Sequence, residues 1–70
     1  MKNFLKNKRK SLGYTLEEMS RKLFVDKSTV HNYESGKRFP SAIMLHSLKQ
    51  AYELSNDELA EWLEFINENN

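Results

Sequence analysis

Cysteine is absent from the chain, which removes both a disulfide framework and a thiolate zinc site. No apolar run approaches the length of a membrane span, and no signal segment opens the sequence. Together these absences predict a protein of a reducing compartment, the cytoplasm. Strand-like alternation and internal repeats are missing too, so the expected class is all-α. Neither a glycine-rich phosphate loop nor a nucleophile motif surrounds the Ser, His and Asp residues. No enzyme activity, catalytic residue or cofactor is therefore expected. Glycine occurs only at Gly13 and Gly36 and proline only at Pro40.

Seventy residues make one small domain, 1–70, with no room for a second core. A chain of this size buries about 60% of its unfolded surface and is usually marginal, so pairing of two copies is one source of extra stability. The net charge of +1 says little by itself. Its distribution says more: residues 1–38 hold ten Lys and Arg against four acids, and residues 39–70 hold Lys49 against six. A basic half joined to an acidic half suits one face for a polyanion and another kept away from it.

The stretch from Val25 to Pro40 organises the rest. Asp26 is a good N-cap and Gly36 a good stop, with about nine residues between them, too few for a helix that stands alone. At about 100° per residue, Val30, Tyr33 and Glu34 fall on one side and Ser28, Asn32 and Ser35 roughly opposite. Asn pairs bidentately with adenine, Lys reaches guanine and Ser serves several bases, so Lys27, Ser28 and Asn32 form a candidate base-reading set. Lys37 and Arg38 follow where phosphates would lie. A plain solvated face is the alternative.

Around this segment the apolar spacing predicts four more helices. The first runs from Lys2 to Leu12, with Phe4, Leu5 and Leu12 in one stripe, and ends at Gly13. The second starts at Leu16 under a capping box of Thr15 and Glu18, buries Leu16, Met19 and Leu23, and ends near Phe24. About three residues then separate it from the central helix, the turn length of a helix-turn-helix unit. Ser41 caps a fourth helix running to about Leu54, with Leu45, Leu48, Ala51 and Tyr52 inward and Ile43 or Met44 beside them. Ser55 and Glu58 box the last, an acidic helix over about 56–67 whose apolar face is Leu59, Trp62, Leu63 and Ile66.

Three motifs carry a resemblance: Gly13-Tyr-Thr-Leu-Glu-Glu-Met19, Val25-Asp-Lys-Ser-Thr-Val30 and Tyr33-Glu-Ser-Gly-Lys-Arg-Phe-Pro40. Over about Phe4 to Leu63 the chain resembles the phage Cro/CI-type, lambda repressor-like helix-turn-helix family. The resemblance implies a five-helix DNA-binding domain with its helix-turn-helix over about 16–36. It places base-reading positions on Lys27, Ser28 and Asn32 and phosphate positions on Ser35, Lys37 and Arg38. The start of the second helix, at Thr15 and Leu16, would offer backbone N–H groups to a further phosphate. Arg9 and Glu34 stand where the family has a structural ion pair. Four positions depart from its pattern: Leu16 replaces a common Gln, Ser20 an Ala, Phe24 a turn Gly, and Lys8 an apolar residue. Phe24 must then adopt a left-handed conformation or the turn must differ, and Lys8 must snorkel.

His31 beside the reading face is either a solvated helix residue or a phosphate contact, and His46 has no carboxylate partners at ligand spacing, so no metal is expected. Trp62, Phe65 and Ile66 on the acidic helix are candidates for a dimer or partner interface, with core packing the alternative for Trp62. The expectation is a sequence-specific transcriptional regulator, a repressor that binds double-stranded DNA as a homodimer on a palindromic operator. The competing reading is an antirepressor-like module that binds another regulator through the acidic helix.

Overall fold

The computed structural model describes residues 3–69, so Lys2, expected at the start of the first helix, lies outside the described residues. Five helices follow one another: α1 Phe4–Ser11, α2 Leu16–Leu23, α3 Lys27–Ser35, α4 Ala42–Ala51 and α5 Asn56–Asn69. There is no strand among the described residues. Among the described residues, no helix is long and apolar enough to cross a membrane.

Short polar side chains start three of the helices. Thr15 Oγ1 accepts the Glu18 N–H at 3.1 Å while the Glu18 carboxylate accepts the Thr15 N–H at 2.9 Å. Ser55 and Glu58 repeat this box at 3.1 and 2.9 Å, and Ser41 Oγ accepts the Met44 N–H at 3.2 Å. Backbone donors from Thr15 and Ser55 hold the carboxyls of Glu18 and Glu58 below the usual carboxylate range. A depressed folded-state pKa means that this stabilisation is present above the ordinary carboxylate pKa and is lost as pH falls through the lowered value. The expected cap at Asp26 is different. Asp26 holds the N-cap position, but its carboxylate accepts no capping bond. The Thr29 N–H it would have taken donates instead to the Asp26 carbonyl at 3.0 Å.

The helix ends share one device. After α1, α2, α3 and α4 a residue turns left-handed: Gly13 (φ 85°), Phe24 (57°), Gly36 (78°) and Glu53 (53°). The next N–H then reaches back five residues, as in Tyr14 N–H to Arg9 O (3.1 Å) and Val25 N–H to Ser20 O (3.0 Å), which satisfies carbonyls the helix leaves open. Glycine suits such a position; phenylalanine and glutamate pay a steric penalty of about 1–2 kcal/mol there. Because Glu53 is one of them, α4 stops at Ala51, short of the Leu54 expected from its apolar spacing.

The core gathers Leu5, Met19, Leu23, Val30, Leu48, Trp62 and Ile66 from all five helices, together with Tyr33, Tyr52 and Leu54. Phe4 and Leu12 are only half-buried beside Leu5, as is Leu16 beside Met19. Ser20, buried, turns its hydroxyl onto the Glu17 carbonyl at 2.6 Å. Lys8 reaches out of its half-buried position to Glu58 at 3.3 Å, the snorkelling its place required. Of the two residues expected beside the α4 stripe, Met44 is half-buried while Ile43 is 82% exposed. Trp62 and Ile66 have no exposed surface, so their apolar area is already used inside the chain. Phe65 alone of the interface candidates keeps some surface.

Phe24 combines the left-handed backbone with a side chain that is 94% exposed. At a concentration where the chain is monomeric, Phe24→Gly should therefore relieve strain and lose no packing, adding about 1 kcal/mol and raising Tm by about 4–8 °C. A thermal melt showing a lower Tm would mean that the side chain packs in a way this structure does not contain.

Candidate nucleic-acid interface

A nine-residue helix such as α3 owes its stability to what lies behind it. Val30, Tyr33 and Glu34 supply that inward side, at 0%, 4% and 6% exposure. The carboxylate of Glu34 would be costly to bury alone, and it is not alone. Arg9 on α1 donates to it twice, from Nε at 2.8 Å and from Nη2 at 3.2 Å. The remaining Nη1 donates to the Tyr14 carbonyl at 2.9 Å, a group that the turn at Gly13 swings into reach. A second donor to Glu34 is Tyr52 Oη at 2.8 Å, from the C-cap of α4. The hydrogen bonds that Arg9 itself donates to Glu34 raise the Arg9 pKa, and burial pushes the Tyr52 phenol well above its usual value. Arg9 thus stays cationic and Tyr52 neutral, as the geometry requires. Spacing along α4 marked Tyr52 only as part of an apolar stripe. The signal that was available is that a buried tyrosine needs a partner for its hydroxyl.

The outward side of α3 carries the base-reading candidates. Lys27 and Ser28 are exposed, and Asn32 is half-buried one turn on. Ser35 shares this side, but its hydroxyl donates to the Asn32 carbonyl at 3.3 Å, a local bond that a phosphate would have to replace. Lys37 is exposed just beyond Gly36. Arg38 is exposed but stands apart, its guanidinium 6.0 Å from the Tyr33 ring centre on another flank of α3.

Two recesses border the reading side. One, of about 480 Å³, runs from Thr15, Leu16 and Glu17 to Lys27 and takes in Lys10. The other, about 140 Å³, is lined by Lys6, Leu16, His31 and Ser35 among others. Lys6 and Lys10, which the sequence reading did not single out, therefore join the candidate cations. Their spacing of four was the signal, since it places both on one helix side. At the start of α2 the Thr15 amide is occupied by Glu18, so the amides of Leu16 and Glu17 are what a phosphate would meet. Glu17 is itself paired with Arg21 at 2.9 Å. His31 and His46 are exposed, and no group of three potential metal ligands occurs among the described residues.

A family model described as a helix-turn-helix domain matches residues 3–64, nearly the whole chain. The chain belongs to that family. No curated protein and no solved structure matches it. Within this domain, α2 and α3 follow one another across the short connection Phe24, Val25 and Asp26, the spacing expected of the helix-turn-helix pair.

Breaking the buried cluster should be more costly than its size suggests. Glu34→Gln strands the Arg9 charge and should cost about 3–5 kcal/mol, while Tyr52→Phe removes one bond to a charged group and should cost about 1.5–3 kcal/mol. Urea denaturation measures both; losses below about 0.5 kcal/mol, within the range of ordinary surface changes, would show that the cluster does not hold α3.

Proposed function

We propose that this helix-turn-helix domain is a sequence-specific DNA-binding transcriptional regulator of the phage Cro/CI type, acting as a repressor by occupying promoter DNA in the cytoplasm. The observation that carries the reading is the two-sidedness of α3: Glu34 is locked inward by Arg9 and Tyr52 while Lys27 and Ser28 stand exposed on the other side, with half-buried Asn32 one turn on. In the major groove Asn32 would pair with an adenine, and Lys27 and Ser28 would meet base edges near the helix start. Lys37, Ser35, Lys6 and Lys10 would hold the flanking phosphates, with the amides of Leu16 and Glu17 beside them. Arg38 reaches a phosphate only by leaving the Tyr33 ring.

The longest Cα extent is 27 Å, less than the 34–36 Å between half-sites one helical turn apart. One copy therefore reads one half-site, and two copies read a palindrome. This docking would need the acids of α5 (Asp57, Glu58, Glu61, Glu64 and Glu68) to stand off the polyanion. Selection of bound duplexes from a random pool tests both parts of the reading, since a palindromic winner reports sequence preference and two-fold symmetry together. A chain retained by no duplex at low salt, yet capturing another regulator through α5, would replace it with the protein-interaction reading.

Two substitutions separate the roles. Asn32→Ala should cost about 1–3 kcal/mol at one base position and relax the preference there, whereas Lys37→Ala should weaken all sequences alike and lower the salt slope by about one. Titrations on the selected duplex and its single-base variants measure both, and unchanged affinity in the two variants contradicts the docking.

A further inference from the structure

Among the described residues, three large apolar side chains stand out from the surface: Phe24 at 94%, Ile43 at 82% and Phe39 at 53% exposure. Two of them line one groove of about 670 Å³ between the α2–α3 turn and the α3–α4 connection. Half-buried Met44 and buried Tyr33 and Pro40 complete its apolar wall. Its charged residues are Asp26 and Arg38, one of each sign. The helix side that lines it, Asp26, Thr29 and Tyr33, lies roughly 110° around α3 from Ser28 and Asn32. An occupant of the groove leaves the reading side open.

We propose that this groove pairs two copies of the chain about a two-fold axis, each Phe24 seated in the partner copy's groove and each Asp26 set against the other copy's Arg38. The pairing rests on the two-copy reading above and names its surface. A symmetric contact needs projection and recess on the same patch, and Phe24 beside the groove supplies both. It also needs charges that complement their own image, which an Asp and an Arg on one patch do. Phe24 bears backbone strain with almost no burial within its own chain, and strain of that kind is retained where function uses it. The other candidate surface fails on the same grounds. Trp62 and Ile66 are consumed in the core, and the surface around Phe65 is bordered by Glu61, Glu64 and Glu68, which a two-fold contact would bring against their own copies. The groove is small, so the pair belongs to the reversible class that buries less than about 1,200 Å².

Sedimentation velocity of the whole chain without DNA, from low micromolar to near-millimolar concentration, tests this. The wild type should show a concentration-dependent monomer–dimer exchange. Phe24→Gly, which relieves the backbone, should weaken association by at least about tenfold while remaining folded. Arg38→Asp should do the same, and adding Asp26→Lys to it should restore pairing by reversing both charges of the contact. Phe65→Asp should leave association unchanged. A wild type that stays monomeric throughout, an unrestored charge reversal, or pairing lost in Phe65→Asp but kept in Phe24→Gly would each overturn the proposal. Binding of a single half-site duplex by Phe24→Gly is a separate readout. Its absence in Phe24→Gly and the wild type alike would count against the DNA reading and not against the groove.

Discussion

Within the core, the Arg9 guanidinium is shared between the Glu34 carboxylate and the Tyr14 carbonyl, and Tyr52 adds its hydroxyl to the same carboxylate. Four groups from α1, the α1–α2 turn, α3 and the end of α4 thus meet with their hydrogen bonds directed at one another. Taking both charges out of water costs several kcal/mol per ion, which the mutual attraction repays only with geometry of this quality. The net gain in stability is consequently small. What the cluster contributes is orientation, since any rotation of α3 about its axis withdraws Glu34 from two donors at once.

That constraint decides what α3 shows to solvent. Helical geometry leaves no freedom once Glu34 is fixed: Val30 and Tyr33 must face the core, and Ser28 and Asn32 must face away. The left-handed closures at Gly13 and Gly36 serve the same end. The first brings the Tyr14 carbonyl to Arg9, and the second frees Lys37 to stand beyond the helix. The proposed reading side is thereby fixed in position, and Ser28 and Asn32 on it are short side chains that need little ordering. Cations on α1 (Lys6 and Lys10) come into line with it because α1 is held by the same arginine.

Much of this was readable from the residues, and for identifiable reasons. Thr15, Ser41 and Ser55 announce helix starts because each satisfies an amide that no carbonyl can reach, and Gly13 and Gly36 announce ends because they turn left-handed without strain. Where the end residue is Glu53 the pattern is silent, and α4 is read too long. Asp26 has the right chemistry for a cap, yet its carboxylate is not used because its own carbonyl takes the Thr29 amide. The Arg9–Glu34 pair came from resemblance, since residues 25 apart have no local spacing that joins them; Tyr52 completes it through a contact that periodicity cannot distinguish from apolar packing. Trp62 and Ile66 illustrate the reverse ambiguity, because an apolar stripe on a last helix reads alike whether it faces a partner or its own core.

The most direct measurement of the central claim is an amide chemical-shift titration of the folded chain with duplex DNA at low ionic strength. The account predicts that the largest shifts fall on Lys27, Ser28, Asn32 and Lys37, with smaller ones at Lys6, Lys10 and the start of α2, and that the amides of α5 stay in place. Shifts concentrated on α5, or no shift anywhere in the chain, would contradict it.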